Sequence, residues 1–302
     1  MPHRFQKNVL ALLCTTVLAL TSTAGPAQAQ GTGTNKATAL DDRGYSYFLG
    51  LAQQSVRYRE SGSTQAVNSS VRATSPLLIT GALFPIGSDL LVSMHSENTF
   101  FPGRATERWT ATGPTLGGIT LTDPLVQSNG FNLSQSTTEL LAHRRLTGPL
   151  FGTGGVTFHT QAYKRYSFVA GVDQAVTIPA GRTVEESTSE LVLMLGGEME
   201  SESVRNSGNH YGLRAGVGLP VWRRTQNTEA PQIEFAGAKG FDAEVEARYS
   251  WAVLHGAHVG LWGKYTLAYR ARETQSTASN TYELPSSRAD TLAAGVELLW
   301  KF

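Results

Sequence analysis

Apolar and polar positions alternate with a period of two along most of this chain. Across residues 241–253 one row reads Phe241, Ala243, Val245, Ala247, Tyr249, Trp251 and Val253, and the other carries Asp242, Glu244, Glu246 and Arg248. Residues 259–271 repeat the arrangement, with Leu261, Tyr265 and Tyr269 against Lys264 and Arg270. The chain ends the same way: Leu292, Ala294, Val296, Leu298, Trp300 and Phe302 share one face of residues 291–302. Period-two alternation puts successive side chains on opposite faces of a strand. Runs of this length exceed the ~5–6 residues of a common strand.

The template predicts about ten strands, at residues 45–60, 77–86, 90–100, 137–146, 155–171, 187–201, 210–224, 241–253, 259–271 and 291–302. Short connections such as GSD (87–89) and LHGA (254–257) alternate with long polar ones such as residues 101–135. An even count with that alternation places both ends of the chain on the short-turn side. The fold expected is therefore all-β: a closed antiparallel up-and-down transmembrane β-barrel. Twelve strands are the alternative, if GGITLTDPLV (117–126) forms a further hairpin in the wall. A soluble β-sandwich would not need strands this long. In lipid no water satisfies a free sheet edge, so the last strand has to pair with the first.

Composition fits that reading. Hydrophobic residues make up 40% and charged residues 16% of the chain, as expected where half of each strand faces a polar interior. At the N-terminus Arg4 and Lys7 precede an apolar run, residues 9–20, and an Ala27-Gln28-Ala29 site. This is the layout of a signal peptide, residues 1–29, cleaved after Ala29. The run is shorter than the ~20 residues of a spanning helix. Residues 30–43 are then a short periplasmic segment and residues 44–302 the barrel. Losing two cations takes the formal charge from +1 to −1, which points to no nucleic acid. Cys14, the one cysteine, lies in the leader, so no disulfide is expected.

The terminal pattern Val296-x-Leu298-x-Trp300-x-Phe302 resembles the C-terminal assembly signal of Gram-negative outer-membrane β-barrel proteins. That resemblance implies an outer-membrane location among lipid and lipopolysaccharide, with periplasmic chaperones and the barrel-assembly machinery as partners during biogenesis. Tyr45, Tyr47, Trp251 and Trp300 would form an aromatic girdle on the short-turn side. Ten-stranded outer-membrane proteases of the omptin type are similar in size and strand number. Their chemistry uses acid pairs and a histidine near the outer rim, and the outer loops here carry no Asp-Asp pair and no histidine. Lipid A deacylases need a lipid-facing Ser-His pair, whereas Ser93 and His95 belong to an inward row.

The inward rows would carry Glu139, His143, Arg145, Glu244, Glu246, Arg248, Lys264, Arg270 and Glu297 as a lumen charge network. His159, Arg165, Glu190, Glu198, Arg214, Arg224, Asp242, Arg272 and Lys301 fall on the same side. A ten-stranded lumen lies near the side-chain-filled end of the size range. The expected role is structural, with mutually paired charges filling the interior, or that of a narrow small-solute channel. The alternatives are a hydrolase, or a surface adhesin or receptor acting through the outer loops on an extracellular ligand. Ser93, His95 and Glu97 share one face as S-x-H-x-E, but neighbours two apart on a strand are ~6.5–7 Å apart, long for a triad. Glu139 could approach His95 from a consecutive strand. No histidine spacing dictates a metal site, and no cofactor is implied.

Overall fold

The computed structural model describes residues 46–62, 66–86, 89–201, 209–254, 256–277 and 280–301. The leader, the segment to residue 43, Tyr45 and Phe302 lie outside the described residues, as does the side chain of Lys301. Sixteen strands follow in order: β1 Ser46–Ser61, β2 Val67–Pro85, β3 Leu90–Thr99, β4 Arg104–Ala111, β5 Thr115–Leu116, β6 Ile119–Thr120, β7 Leu125–Thr147, β8 Leu150–Ala170, β9 Val184–Glu200, β10 His210–Asn227, β11 Glu234–Phe235, β12 Gly240–Leu254, β13 Ala257–Arg270, β14 Glu273–Ser276, β15 Thr281–Leu284 and β16 Ser286–Lys301.

Ten positions make the wall. β3 and β4 are the inner and outer halves of one wall strand, since both lie between β2 and β7. The ring runs β1, β2, β3/β4, β7, β8, β9, β10, β12, β13 and β16, all antiparallel, and closes where β1 pairs with β16. β16 thus closes the ring against β1. β5 and β6 pair only with each other and leave the count at ten.

Several wall strands run further outward than their apolar rows. β7 has 23 residues and β8 has 21, against the ~9–11 that a tilted strand needs to cross a bilayer. The stretch 101–135, expected as a loop, is largely wall: it contains β4 and the first half of β7. Its Gly, Ser and Thr content hid an alternation that has no lipid to face. The outermost connections are tied together. Asp173 accepts hydrogen bonds from Thr122 Oγ1 (2.7 Å), Thr122 N (2.8 Å) and Asp123 N (3.1 Å).

The apolar rows face outward. Val245, Leu261 and Val296 are 47%, 52% and 54% exposed, which a soluble core would not allow. Leu51, Val296, Leu261, Tyr249 and Tyr211 sit side by side across five strands in register. On the short-turn side Tyr47 and Trp251 are exposed, Trp300 is half-buried beside Tyr47, and Tyr249 packs edge-on to Trp251 at 4.9 Å. At the outer edge of the belt Tyr265 donates to Asp290 (3.0 Å), which also pairs with Arg59 and Arg288 at 2.7 Å each. Part-polar rings and charges at a belt edge suit the headgroup level.

The interior is not uniformly ionic. Along β1 and β2 it holds Phe48, Ala52, Leu77 and Ile79, which pack with Trp262, Ala293 and Leu299. Gly81 stands in register between Phe48 and His95. A Cβ there would come within 2.1 Å of Phe48 Cζ. Glycine therefore makes room for the Phe48 ring to lie edge-on to His95 at 5.3 Å.

Candidate functional site

Four polar clusters cross the interior at successive heights. In the middle layer Lys264 on β13 donates to Glu97 of β3 (2.7 Å) and Glu139 of β7 (2.6 Å). Arg214 on β10 reaches the same Glu139 (2.7 Å) and Glu246 of β12 (2.9 Å). Glu244 lies 3.4 Å from Arg214 and 3.5 Å from Lys264, and Arg248 Nε donates to Glu246 at 2.7 Å. Buried ions need partners this close, because desolvation otherwise exceeds the attraction between them. His95 sits beside the layer, 3.8–4.0 Å from Glu97, Glu139 and Glu246. It lies between the rings of Phe48 and Trp262.

Outward of this layer, Arg270 holds Glu190 in a two-pronged pair (2.8 and 2.7 Å) and also reaches Asp242. Further out Arg165 bridges Glu107 (2.7 Å) and Glu60 (2.7 Å). Its guanidinium carbon stands 4.4 Å and 4.9 Å from the ring centres of Tyr163 and Trp109. Planar guanidinium groups suit such combined pairing and stacking.

On the short-turn side Ser93 of β3, His143 of β7 and Glu198 of β9 form a chain. Ser93 Oγ is 2.7 Å from His143 Nε2, and His143 Nδ1 is 2.5 Å from Glu198 Oε2. His210 pairs with Glu200 nearby at 2.8 Å. A cavity lies on each side of the middle layer. The outer one, about 120 Å³, is lined by Glu97, Glu139, Glu190 and Arg270 among others. The short-turn one, about 80 Å³, is lined by Ser93, His143, Glu198, Arg214 and Arg248 among others.

The S-x-H-x-E row does not act as a unit. Ser93 bonds to His143, His95 sits between two rings, and Glu97 is taken by Lys264. Each member of the row instead meets groups from other strands: His143 of β7 for Ser93 and Lys264 of β13 for Glu97. Glu139 does come within 4.0 Å of His95. Glu297 is buried, with Oε2 lacking a hydrogen-bond partner among the described residues. Arg145 packs over Phe151, its guanidinium carbon 5.4 Å from the ring centre.

Two inward assignments change. A bulge between Pro220 and Trp222 shifts the register of β10. Arg223 is buried in place of Arg224, which instead pairs with Glu234. One extra residue flips every later side chain to the other face. Arg272 lies beyond the end of β13 and donates to the Gly62 carbonyl at 3.0 Å. Glu107 and Trp109 were hidden by their place in an expected loop. Among the described residues no group of three or more His, Cys, Asp or Glu is arranged to hold a metal ion.

No protein-family model matches the chain, and no curated protein matches its sequence. Solved structures do align with it, one of them closely enough to share its fold. The Escherichia coli outer-membrane protease OmpT is similar over 86% of this chain and 97% of its own, at 9% identity and a TM-score of 0.59. The translocator domain of the Neisseria meningitidis autotransporter NalP aligns over 86% and 89%, at 9% identity and a TM-score of 0.35. Pseudomonas aeruginosa OprG aligns over 86% and 96%, at 9% identity and a TM-score of 0.34. The fold is that of the Gram-negative outer-membrane β-barrels.

Proposed function

We propose that this chain is an integral outer-membrane barrel whose lumen is sealed at mid-height by its ionic layer. It works as a closed scaffold with a raised outer rim, and not as a conduit. The observation that carries this reading is the double bridge at Glu139. Lys264, from the opposite wall, and Arg214, from three strands along the wall, both close on that one carboxylate. A permeating ion would have to displace charge-assisted hydrogen bonds that are strong because they are shielded from water. The omptin-like backbone path supports the scaffold but not a protease role, since likeness of fold does not carry chemistry.

Planar-bilayer recording tests the proposal. The wild-type protein should give no conductance steps at high protein load. The Lys264→Ala, Arg214→Ala double variant should give small, resolvable ones. Regular steps from the wild-type protein would overturn the sealed reading in favour of a narrow channel.

A further inference from the structure

We propose that Ser93, His143 and Glu198 form a serine-nucleophile triad in the short-turn cavity that hydrolyses short-chain acyl esters. A nucleophile, a base and an orienting carboxylate must lie within hydrogen-bond reach in that order. Here the two contacts are 2.7 Å and 2.5 Å. His143 is held on both ring nitrogens. The carboxylate at Nδ1 draws the ring proton to that side, which leaves Nε2 to accept from the Ser93 hydroxyl. The three groups come from the paired strands β3 and β7 and from β9, which is joined to β7 through β8, so a paired backbone fixes their spacing and no loop is involved.

The cavity suits a small acyl group. All three triad residues line it, and its volume is about 80 Å³. A dry cavity of ~150 Å³ holds benzene, so this one fits an acyl chain of a few carbons. Phe48, Leu83, Leu91 and Leu299 provide apolar wall, and Arg214 and Arg248 stand on the same lining. The lining includes Ser46, Glu200 and His210, at the short-turn ends of β1, β9 and β10, so the cavity lies at that mouth.

In the step, Ser93 Oγ bonds to the ester carbonyl carbon and its proton passes to His143 Nε2. The carbonyl electron pair moves onto oxygen and then returns, breaking the bond to the alcohol oxygen. That oxygen leaves with the proton from Nε2. Water repeats the sequence on the acyl-serine, releasing the carboxylic acid and restoring the serine. The sum is ester plus water to acid plus alcohol.

The test uses the full chain folded in detergent micelles. Two probes are applied: a fluorophosphonate, read by peptide mass, and p-nitrophenyl acetate against p-nitrophenyl octanoate, read by release of nitrophenol. The expected result is a covalent adduct on Ser93, absent in Ser93→Ala. Acetate should be preferred over octanoate. In His143→Gln, acetate turnover should fall by ~100-fold or more, the usual share of a general base. Glu198→Gln should fall by a smaller factor. Heat-modifiable gel mobility confirms that each variant keeps its barrel. Acetate turnover that survives Ser93→Ala, turnover unchanged in His143→Gln, or neither labelling nor turnover by a folded wild-type protein would each overturn the proposal.

Discussion

Lys264 and Glu139 lie 125 residues apart in the chain, yet Lys264 Nζ donates to Glu139 Oε1 at 2.6 Å in the middle of the barrel. Both side chains are buried. The pair joins β13 to β7 across the lumen, and no backbone hydrogen bond connects those two strands. It is therefore a strut between opposite walls.

Removing one end of that strut leaves buried carboxylates short of a cation. Lys264→Met is expected to lower stability by about 3–5 kcal/mol, the cost of breaking a buried pair from one side. Urea unfolding of the protein in micelles measures it. Lys264→Met combined with Glu139→Gln should cost less than the two single changes added together, because the charge left behind is gone. An unchanged midpoint in Lys264→Met would mean that the pair contributes nothing to the fold.

The outward belt makes a separate prediction. Val296 lies in register between Leu51 and Leu261 and faces outward. Val296→Arg places a cation against acyl chains and should cost about 2–4 kcal/mol towards the bilayer centre. Arg57→Ala, on an exposed residue of β1 further outward, should be nearly silent. Folding yield into phospholipid vesicles, followed by gel mobility, compares the two. Equal yields would count against a lipid-facing row at Val296.

Gly81 is expected to resist substitution. A Cβ there would stand 2.5 Å from the Met94 carbonyl oxygen as well as against the Phe48 ring. The oxygen belongs to the paired backbone and cannot swing aside. Gly81→Val should destabilise by about 1–3 kcal/mol, as overpacking does, and should displace the Phe48 ring from His95. Thermal unfolding in detergent reports the first effect.

The clasp between outer loops should respond to acid. The Thr122 hydroxyl, followed by the Asp123 and Thr122 amides, holds the Asp173 carboxyl below its usual range by bonding to the charged form. The sign follows from linkage: a depressed folded-state value gives a contribution that is complete above the ordinary aspartate value of ~3.9 and lost as pH falls through the lowered one. Amide exchange at Thr122 and Asp123 should accelerate, beyond the intrinsic pH effect, when pH drops through that window. In Asp173→Asn the step should vanish. A wild-type profile with no such step would remove the clasp.

How much of this was legible in the sequence differs from residue to residue. Alternation at residues 241–253, 259–271 and 291–302 identified the wall strands, their outward rows and the closure of the last strand on the first. That information is local, since a side chain two residues on always returns to the same face. The same logic put Glu139, Lys264 and Glu246 on the inward side. It failed at Arg224, because one bulged residue at β10 reverses the parity without leaving a mark in the pattern. It also failed at Glu107, in a stretch whose polar outward rows resemble a loop.

Which enclosed group meets which was decided only by the closed barrel. Ser93 could be read beside His95 and Glu97 along one strand, but its partner is His143 on the neighbouring strand, with Glu198 two strands further on. Lys264 found Glu139 only once ten strands had closed around a common axis. Periodicity along the chain assigns a face to each residue. Contacts across a lumen depend on strand register, tilt and closure, which are properties of the whole ring and leave no trace in any short stretch of sequence.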